Sequence, residues 1–582
     1  MAPEKTRSNP REPGRLARLI PLLQWAPGYQ HSWLRFDLIA GLTVTALVVP
    51  KALGYAGIAG VPIQYGLYAA AAGAILYALF GTSRQISTGP SSALAAVAGS
   101  AVLITGVSGS DDAVALVAAI TFVTGILFLL LALLRMGWIS QFLSKAVITG
   151  FLFGAAIEVV IGELPKITGT SAEGTNTWQD LFSWLRSLPD TDGATLLVGL
   201  ISLGVIFGLR SVAPRVPGAL VLVVGGLVAS AVFGLGERGL ALVGDIPSGL
   251  PSLELPDLQF VLENLPVIGA ASIGLLLIGF SQSAGDARAF ATRHKYRVDI
   301  NQESVAQGIS NVGSGLVQGI PVSTSLSASS LNDASGAKTP VASLTTGALI
   351  VLTLLFLAPL FSDLPKAVLA AIIIEAVVMG MIDLPEMRRH YRVARVDFWI
   401  AVAAILGVLS SGVLAGVIIG ILLSIGWLIY ISATPHMQAL GRQPGTQVFR
   451  GVDDHPDSET YPGLLVLRFD AGLFFASADA LTDRLIELHH QEDPKLHTIV
   501  LDFEGVNFID SQGAYVLGEL LELASSRDIQ LRLTRVKTTV KTVLQRDGFI
   551  DRLGESRIYG NIYEAAADQI KIDLPNGKVK NE

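Results

Sequence analysis

The chain has 582 residues, 51% of them hydrophobic and only 15% charged, with 60 glycines, no cysteine and a net charge of −7. A charge fraction far below the roughly 25% of soluble domains, with apolar runs longer than about 18 residues, points to a polytopic membrane protein. The acidic balance argues against a nucleic-acid partner, the missing cysteines exclude disulfides and thiolate metal sites, and the eight histidines lack HxxxH or HExxH spacing.

Residues 1–35 carry Arg7, Arg11, Arg15, Arg18 and Arg35 among Pro and Gly and are expected to form a cytoplasmic tail with no signal peptide. Fourteen apolar segments follow, near 38–58, 63–80, 90–107, 113–134, 145–162, 194–209, 217–234, 261–287, 303–319, 325–336, 340–360, 364–381, 396–411 and 413–432. The third and tenth are short and polar. Cytoplasmic loops are enriched in Lys and Arg. With the N-terminus inside, the inner loops hold Arg84, Arg135, Lys145, Arg210, Arg215, Arg293, Lys295, Arg297, Lys338, Arg388, Arg389, Arg392 and Arg395. The outer loops hold Lys166, Arg186, Arg238 and Lys366 beside Asp111, Asp112, Asp190, Asp192, Asp245 and Asp257. The bias fits fourteen crossings. Seven plus seven is odd per half, so a repeat would have inverted topology. The protein is expected to be multi-pass in the plasma membrane, the inner membrane if the source is bacterial.

Gly319–Leu331 interrupts this pattern. Six of its thirteen residues are hydroxylic, and Pro321 ends what precedes it. Gln85–Ala95 repeats the theme: a proline, clustered hydroxyls, then small residues. A broken helix at membrane depth must be buried in protein or line a wet cavity. The hydroxyls after each proline can cap a half-helix whose N–H groups and dipole favour an anion. Two broken segments in corresponding halves indicate a transporter's central site.

After Ser432 the composition changes. Residues 433–460, with Pro435, Pro444, Gly445 and Pro456, are expected to be a linker. Residues 461–570 alternate strands (Leu464–Phe469, Thr498–Phe503, Ile529–Thr534) with helices (Ala478–His490, Gln512–Ala524, Thr538–Gln545), the pattern of helices packed on a sheet. Residues 571–582 form a tail.

Three blocks carry a family resemblance. Pro50–Ala56, Tyr65–Tyr68 and Phe80–Pro90 resemble the sulfate-permease (SulP) signature. Asn301–Glu303 and Gly319–Ser323 resemble its second half, and Asp502–Phe503 with Ile509–Gly513 resemble the STAS domain that ends these transporters. The resemblance implies two inverted seven-helix repeats forming a core and a gate in a membrane domain over 36–432. It also implies a homodimer and transport of a small anion such as sulfate, bicarbonate or a dicarboxylate. Against that family, this chain has Lys51 where Gln or another non-basic residue is usual. It has Ala328 where an Arg is frequent, and Gln282 where a carboxylate is common. Asp286 stands one turn later, in place of a small or apolar residue.

Lys51 is expected to face the cavity and to supply the charge that Ala328 lacks; the structural alternative is snorkelling, or a pair with Glu375 or Glu158. Ser91, Ser92, Ser325 and Ser327, with Tyr55 and Leu326 beside them, are expected to meet the anion; the alternative is helix packing. Gln282 shares a helix face with Asp286 and can donate its amide. Asp286 is the candidate site for a coupling Na⁺ or H⁺; the alternative is an ion pair with Arg288 or Arg293. Glu163 also lies near the spans. Ser511, opening a helix after Asp510, is a candidate phosphorylation site, the alternative being an N-cap. No cofactor or metal is expected. The lipid bilayer and a cytoplasmic protein acting through STAS are the expected partners. The rival functions are a channel-like anion conductor and a membrane-bound signalling scaffold. An enzyme is disfavoured, since no nucleophile–base or metal constellation appears.

Overall fold

The computed structural model describes residues 20–570, apart from 108–110, 136–143, 173, 175, 214–215, 245, 247–248 and 492–495. Arg7, Arg11, Arg15, Arg18, Arg215, Asp245 and residues 571–582 lie outside the described residues. The chain divides into two compact units, Met1–Ser424 and Ile425–Glu582.

The first unit is helical. Its elements are α1 (Leu34–Ile58), α2 (Gln64–Phe80), β1 (Thr88–Pro90), α3 (Ser92–Thr105), α4 (Asp111–Leu133), α5 (Lys145–Thr168), α6 (Gly193–Val212) and α7 (Gly218–Phe233). Then come α8 (Leu265–His294), α9 (Ile300–Leu316), β2 (Val322–Thr324), α10 (Leu326–Ala334), α11 (Val341–Leu352), α12 (Lys366–Met381) and α13 (Arg395–Ala433). Every one of the fourteen apolar segments falls on a helix. The last two share α13, which breaks at Ser411 and Gly412. Eight helices among the described residues are long and apolar enough to cross a membrane, and α2, α3 and α7 are apolar but shorter.

The two interrupted segments meet. β1 pairs antiparallel with β2, Thr88 opposite Thr324 and Pro90 opposite Val322. Such a pairing of matched segments is what inverted repeats produce. It satisfies backbone groups that no helix could satisfy at this depth. Asn311 completes the accounting, receiving the Val322 N–H and donating to the Val322 carbonyl at 3.0 and 2.9 Å.

Small residues let these helices touch backbone to backbone, the main packing device where lipid removes the hydrophobic drive. A Cβ on Gly66 would stand 2.0 Å from the Ala52 carbonyl, and one on Gly99 2.1 Å from the Ile58 carbonyl. Buried carboxylates tie the ends. Asp37 receives the Lys338 and Thr339 N–H groups at 2.7 and 3.1 Å, joining α1 to the α10–α11 turn. Glu303 receives the Thr82 and Ser83 N–H groups and the Tyr77 hydroxyl, joining α9 to the α2–β1 connection.

At the α13 break Gly412 has φ +83 and ψ 169, a region open essentially to glycine alone. A Cβ there would also stand 2.4 Å from Ser100 Oγ. Gly412→Ala should therefore cost about 2 kcal/mol. A thermal-unfolding midpoint equal to the parent's would show that the break is not strained.

The second unit is a six-stranded sheet in the order β4-β3-β5-β6-β7-β8. Its strands are β3 (Met437–Arg442), β4 (Phe449–Gly451), β5 (Leu464–Phe469), β6 (Thr498–Asp502), β7 (Gln530–Thr534) and β8 (Ile558–Tyr559). β5 to β8 run parallel, with β3 and β4 antiparallel at one edge. Helices α14 (Ala478–Gln491), α15 (Ser511–Ser526) and α16 (Thr538–Arg546) lie in its crossovers. Their apolar sides bury Leu481, Leu517 and Leu544 with Phe469 and Phe503. The linker expected over 433–460 is corrected here, because β3 and β4 lie inside it. Pro444 and Gly445 mark the turn between two short strands, which from composition alone looks like a linker.

Candidate functional site

The first unit holds a cavity of about 560 Å³ lined from several helices. Ser91, Ser92 and Ala93 reach it from the start of α3, and Ser325, Leu326 and Ser327 from the start of α10. Both serine N-caps have extended backbone, Ser91 at φ −121 and Ser325 at φ −118, so the first N–H groups of each helix are open to a partner. Ser325 Oγ already accepts the Ala328 N–H at 3.4 Å. The strand pair holds the two N-termini together: the Ser325 N–H donates to the Ser87 carbonyl at 3.0 Å, and Ser329 Oγ accepts the Ser87 N–H at 2.9 Å.

Lys51, Tyr55, Gln282 and Asp286 line the same cavity. All eight residues expected at the substrate site, and the expected coupling acid, are thus brought to one space. The Lys51 ammonium lies 3.4 Å from Ser327 Oγ and is in no ion pair among the described residues. Glu375 is not its partner: it binds Arg210 at 2.6 Å. Glu158 lies elsewhere, so neither structural pair considered for Lys51 is formed.

Asp286 makes no ion pair with Arg288 or Arg293 among the described residues. Arg293 binds Asp333 at 3.0 Å instead. The Asp286 carboxylate accepts the Thr324 hydroxyl at 2.7 Å, and Gln282 Oε1 accepts the Ser323 hydroxyl at 2.8 Å. One face of α8 therefore grips two successive residues of β2, which leaves the Gln282 N–H groups available to a ligand. Ala328 is buried and borders a smaller cavity that Lys51 and Tyr55 also line.

Arg210, Thr324 and Ser330 also line the cavity, and sequence reasoning did not select them. Arg210 was counted as a loop charge because it follows the apolar run 194–209. Its place at the end of α6 turns it inward.

A second cavity, also about 560 Å³, lies toward the other ends of α1, α3 and α5. Glu158, Glu163, Lys166 and Asp180 line it with Ser100 and Gly412. Glu163 binds Lys166 at 2.6 Å. Among the described residues no group of three or more His, Cys, Asp and Glu is placed to hold a metal ion.

In the second unit Ser511 is the exposed first residue of α15, and Asp510 is its N-cap. The Asp510 carboxylate accepts the Gly513 N–H at 2.8 Å and the Phe475 N–H at 3.0 Å. The helix end thus already holds an anion, and a phosphate on Ser511 would meet like charge.

Asp502 is the electrostatic centre of this unit. Its carboxylate, fully buried, binds Arg468 Nε and Arg535 Nε at 2.8 Å each. Burial alone would raise it, but the Arg535 and Arg468 guanidiniums on balance hold it below the usual carboxylate range. A lowered carboxylate stabilises the fold above the unfolded value, near 3.9, and that contribution is lost as pH falls through the folded value. Asp502→Asn should cost about 3 kcal/mol, the low end for breaking a buried pair because both guanidiniums keep some water. The check is hydrogen exchange of β6 and β7 in the full chain: the variant's deficit should be nearly the same at pH 7 and pH 4 and shrink only as pH falls further, through the folded value.

Residues 34–404 match the sulfate permease family and residues 455–565 the STAS domain. A probable sulfate transporter of Mycobacterium tuberculosis is 35% identical, covering 92% of this chain and 96% of that one. The chloroplastic sulfate transporter 4.1 of Arabidopsis thaliana is 32% identical, covering 94% and 82%. The inward-facing murine Slc26a9 anion transporter superposes with a TM-score of 0.87 at 22% identity, over 97% of this chain and 96% of that one, so the fold is shared along nearly the whole length. With its broken helices facing one cavity and a STAS domain following in the sequence, this chain belongs to the sulfate permease family of membrane anion transporters.

Proposed function

We propose that the protein is a secondary active transporter of a small oxyanion, with sulfate the first candidate because both curated relatives above carry that name. One observation carries the proposal: the N-termini of two matched half-helices and the Lys51 ammonium line a single cavity. Converging N–H groups, hydroxyls and one cation suit an anion that must be held and then released. The Gln282 amide would orient it. Asp286, bonded to Thr324 under the site, would take the coupling Na⁺ or H⁺. Transport would proceed by alternating access, the helices around β1 and β2 moving against α5, α6 and α12. At Ser511 the capped helix end favours the structural role over a phosphorylation switch.

The test is uptake of labelled sulfate, bicarbonate and a dicarboxylate by proteoliposomes, with and without Na⁺ and pH gradients. Saturable, gradient-driven uptake of one of them is expected. Flux that rises linearly with concentration and ignores both gradients would make the protein a conductor instead. On the bias of loop charge, the N-terminus and the STAS domain would lie in the cytoplasm. In this Cys-free chain, a cysteine replacing the exposed Ser526 should resist an impermeant thiol reagent in intact cells. Labelling from outside would invert the proposed topology.

A further inference from the structure

Four charged side chains line the first cavity among the described residues: Lys51, Arg210, Asp286 and Glu375. Their formal charges cancel, which is unexpected for a space that must attract an anion. The cancellation is uneven. Arg210 Nη1 and Glu375 Oε1 form a pair at 2.6 Å, whereas among the described residues Lys51 has only a long hydroxyl contact. Within the pair, the Arg210 side chain is 51% exposed and the Glu375 side chain 11%. The guanidinium is the more exposed partner, on the last turn of α6, and the carboxylate is the more buried one, within α12.

The geometry points to Arg210 as a second anion-binding cation that Glu375 holds in reserve, so that the pair sets the preference for doubly over singly charged anions. This rests on the transport function proposed above. A guanidinium has five N–H donors in a planar fork and binds an oxyanion through two at once. Glu375 and a bound anion therefore compete for the same fork. A monoanion is already served by Lys51 and the two helix N-termini, and it offers Arg210 no more charge than Glu375 does. A dianion at the same distance attracts Arg210 about twice as strongly and can draw it from the carboxylate. The Lys51 site thus holds either anion, and the Arg210–Glu375 pair discriminates between them.

The test measures binding of sulfate and nitrate to the purified full-length chain by titration calorimetry. Arg210→Gln is expected to weaken sulfate at least tenfold and nitrate less than threefold. Glu375→Gln, which frees the guanidinium for either anion, is expected to tighten sulfate at least fivefold and nitrate by a similar factor. Arg210→Lys, which keeps the charge but loses the fork, should retain part of the sulfate preference. Changes of equal size for both anions in Arg210→Gln, or weaker sulfate binding in Glu375→Gln, would overturn the inference. If Glu375→Gln does not yield a folded protein, the double variant Arg210→Gln, Glu375→Gln leaves no unpaired charge. It should show the reduced preference of Arg210→Gln, and a preference equal to the parent's would overturn the inference. Lys51→Gln separates the two levels. If it weakens both anions while the Arg210 variants change neither, only this inference fails. If it too changes neither, the cavity is not the anion site and the proposed function fails with it.

Discussion

Lys51→Gln should weaken anion binding by about 2 kcal/mol, the scale of one charge-assisted hydrogen bond, or roughly thirtyfold. Lys51 is in no ion pair among the described residues, so its removal leaves no buried carboxylate stranded. The loss should therefore appear in affinity and hardly at all in thermal stability. This is the opposite of what a structural charge would do. The position across the cavity supplies a second variant. Ala328 and Lys51 border the same small space, so a longer side chain at 328 would compete with that at 51 for it. The double variant Lys51→Gln, Ala328→Arg should recover part of the lost affinity, whereas Ala328→Arg alone should be poorly tolerated. Affinity in all three variants, by thermal shift or uptake, decides the matter. Parent-like binding by Lys51→Gln would remove Lys51 from the site.

Asp286→Asn should abolish gradient-driven uptake while sparing anion exchange. The carboxylate accepts the Thr324 hydroxyl, and an amide at 286 can keep that bond through its oxygen. What the variant loses is the negative charge and the capacity to hold a cation or a proton. Uptake under Na⁺ and pH gradients, compared with exchange at equal concentrations on both sides, separates the two functions. Equal loss of both would show that Asp286 holds β2 in place and carries no coupling ion.

Much of the site was legible because broken helices have a chemical signature. Proline followed by hydroxyls and small residues is poor material for an unbroken membrane helix, and both copies of that pattern fold into the strand–helix junctions at Ser91 and Ser325. Gln282 and Asp286 were legible from their four-residue spacing, which puts both on one helix face. Arg210 was not. A residue at the end of an apolar run can point to a lipid headgroup, a loop or a cavity, and spacing along one helix does not distinguish these. Its partner Glu375 was visible as an acid in a span, but the pairing needed α6 packed against α12. In the second unit, β3 and β4 were hidden because they are short and flank Pro444 and Gly445. Their place in the sheet depends on the pairing of β3 with β5, a contact distant in sequence, with β4 joining only through β3.

The two cavities lie very close to each other along the helices that border both. On α1, Tyr55 lines one and Gly57 the other; on α3 the handover runs from Ala93 to Ala96. The partition is therefore about one helical turn thick, some 5 Å. A membrane potential falls mainly across whatever is not water, so where both cavities are wet and open to opposite sides of the bilayer, most of it would be concentrated over that turn. Moving a single elementary charge through the full drop is worth about 2.3 kcal/mol per 100 mV. An ion bound at Lys51 then needs to shift by only a few ångströms relative to this partition to cross nearly the entire field. The turnover of any cycle that moves net charge should accordingly depend steeply on voltage, although no helix travels far.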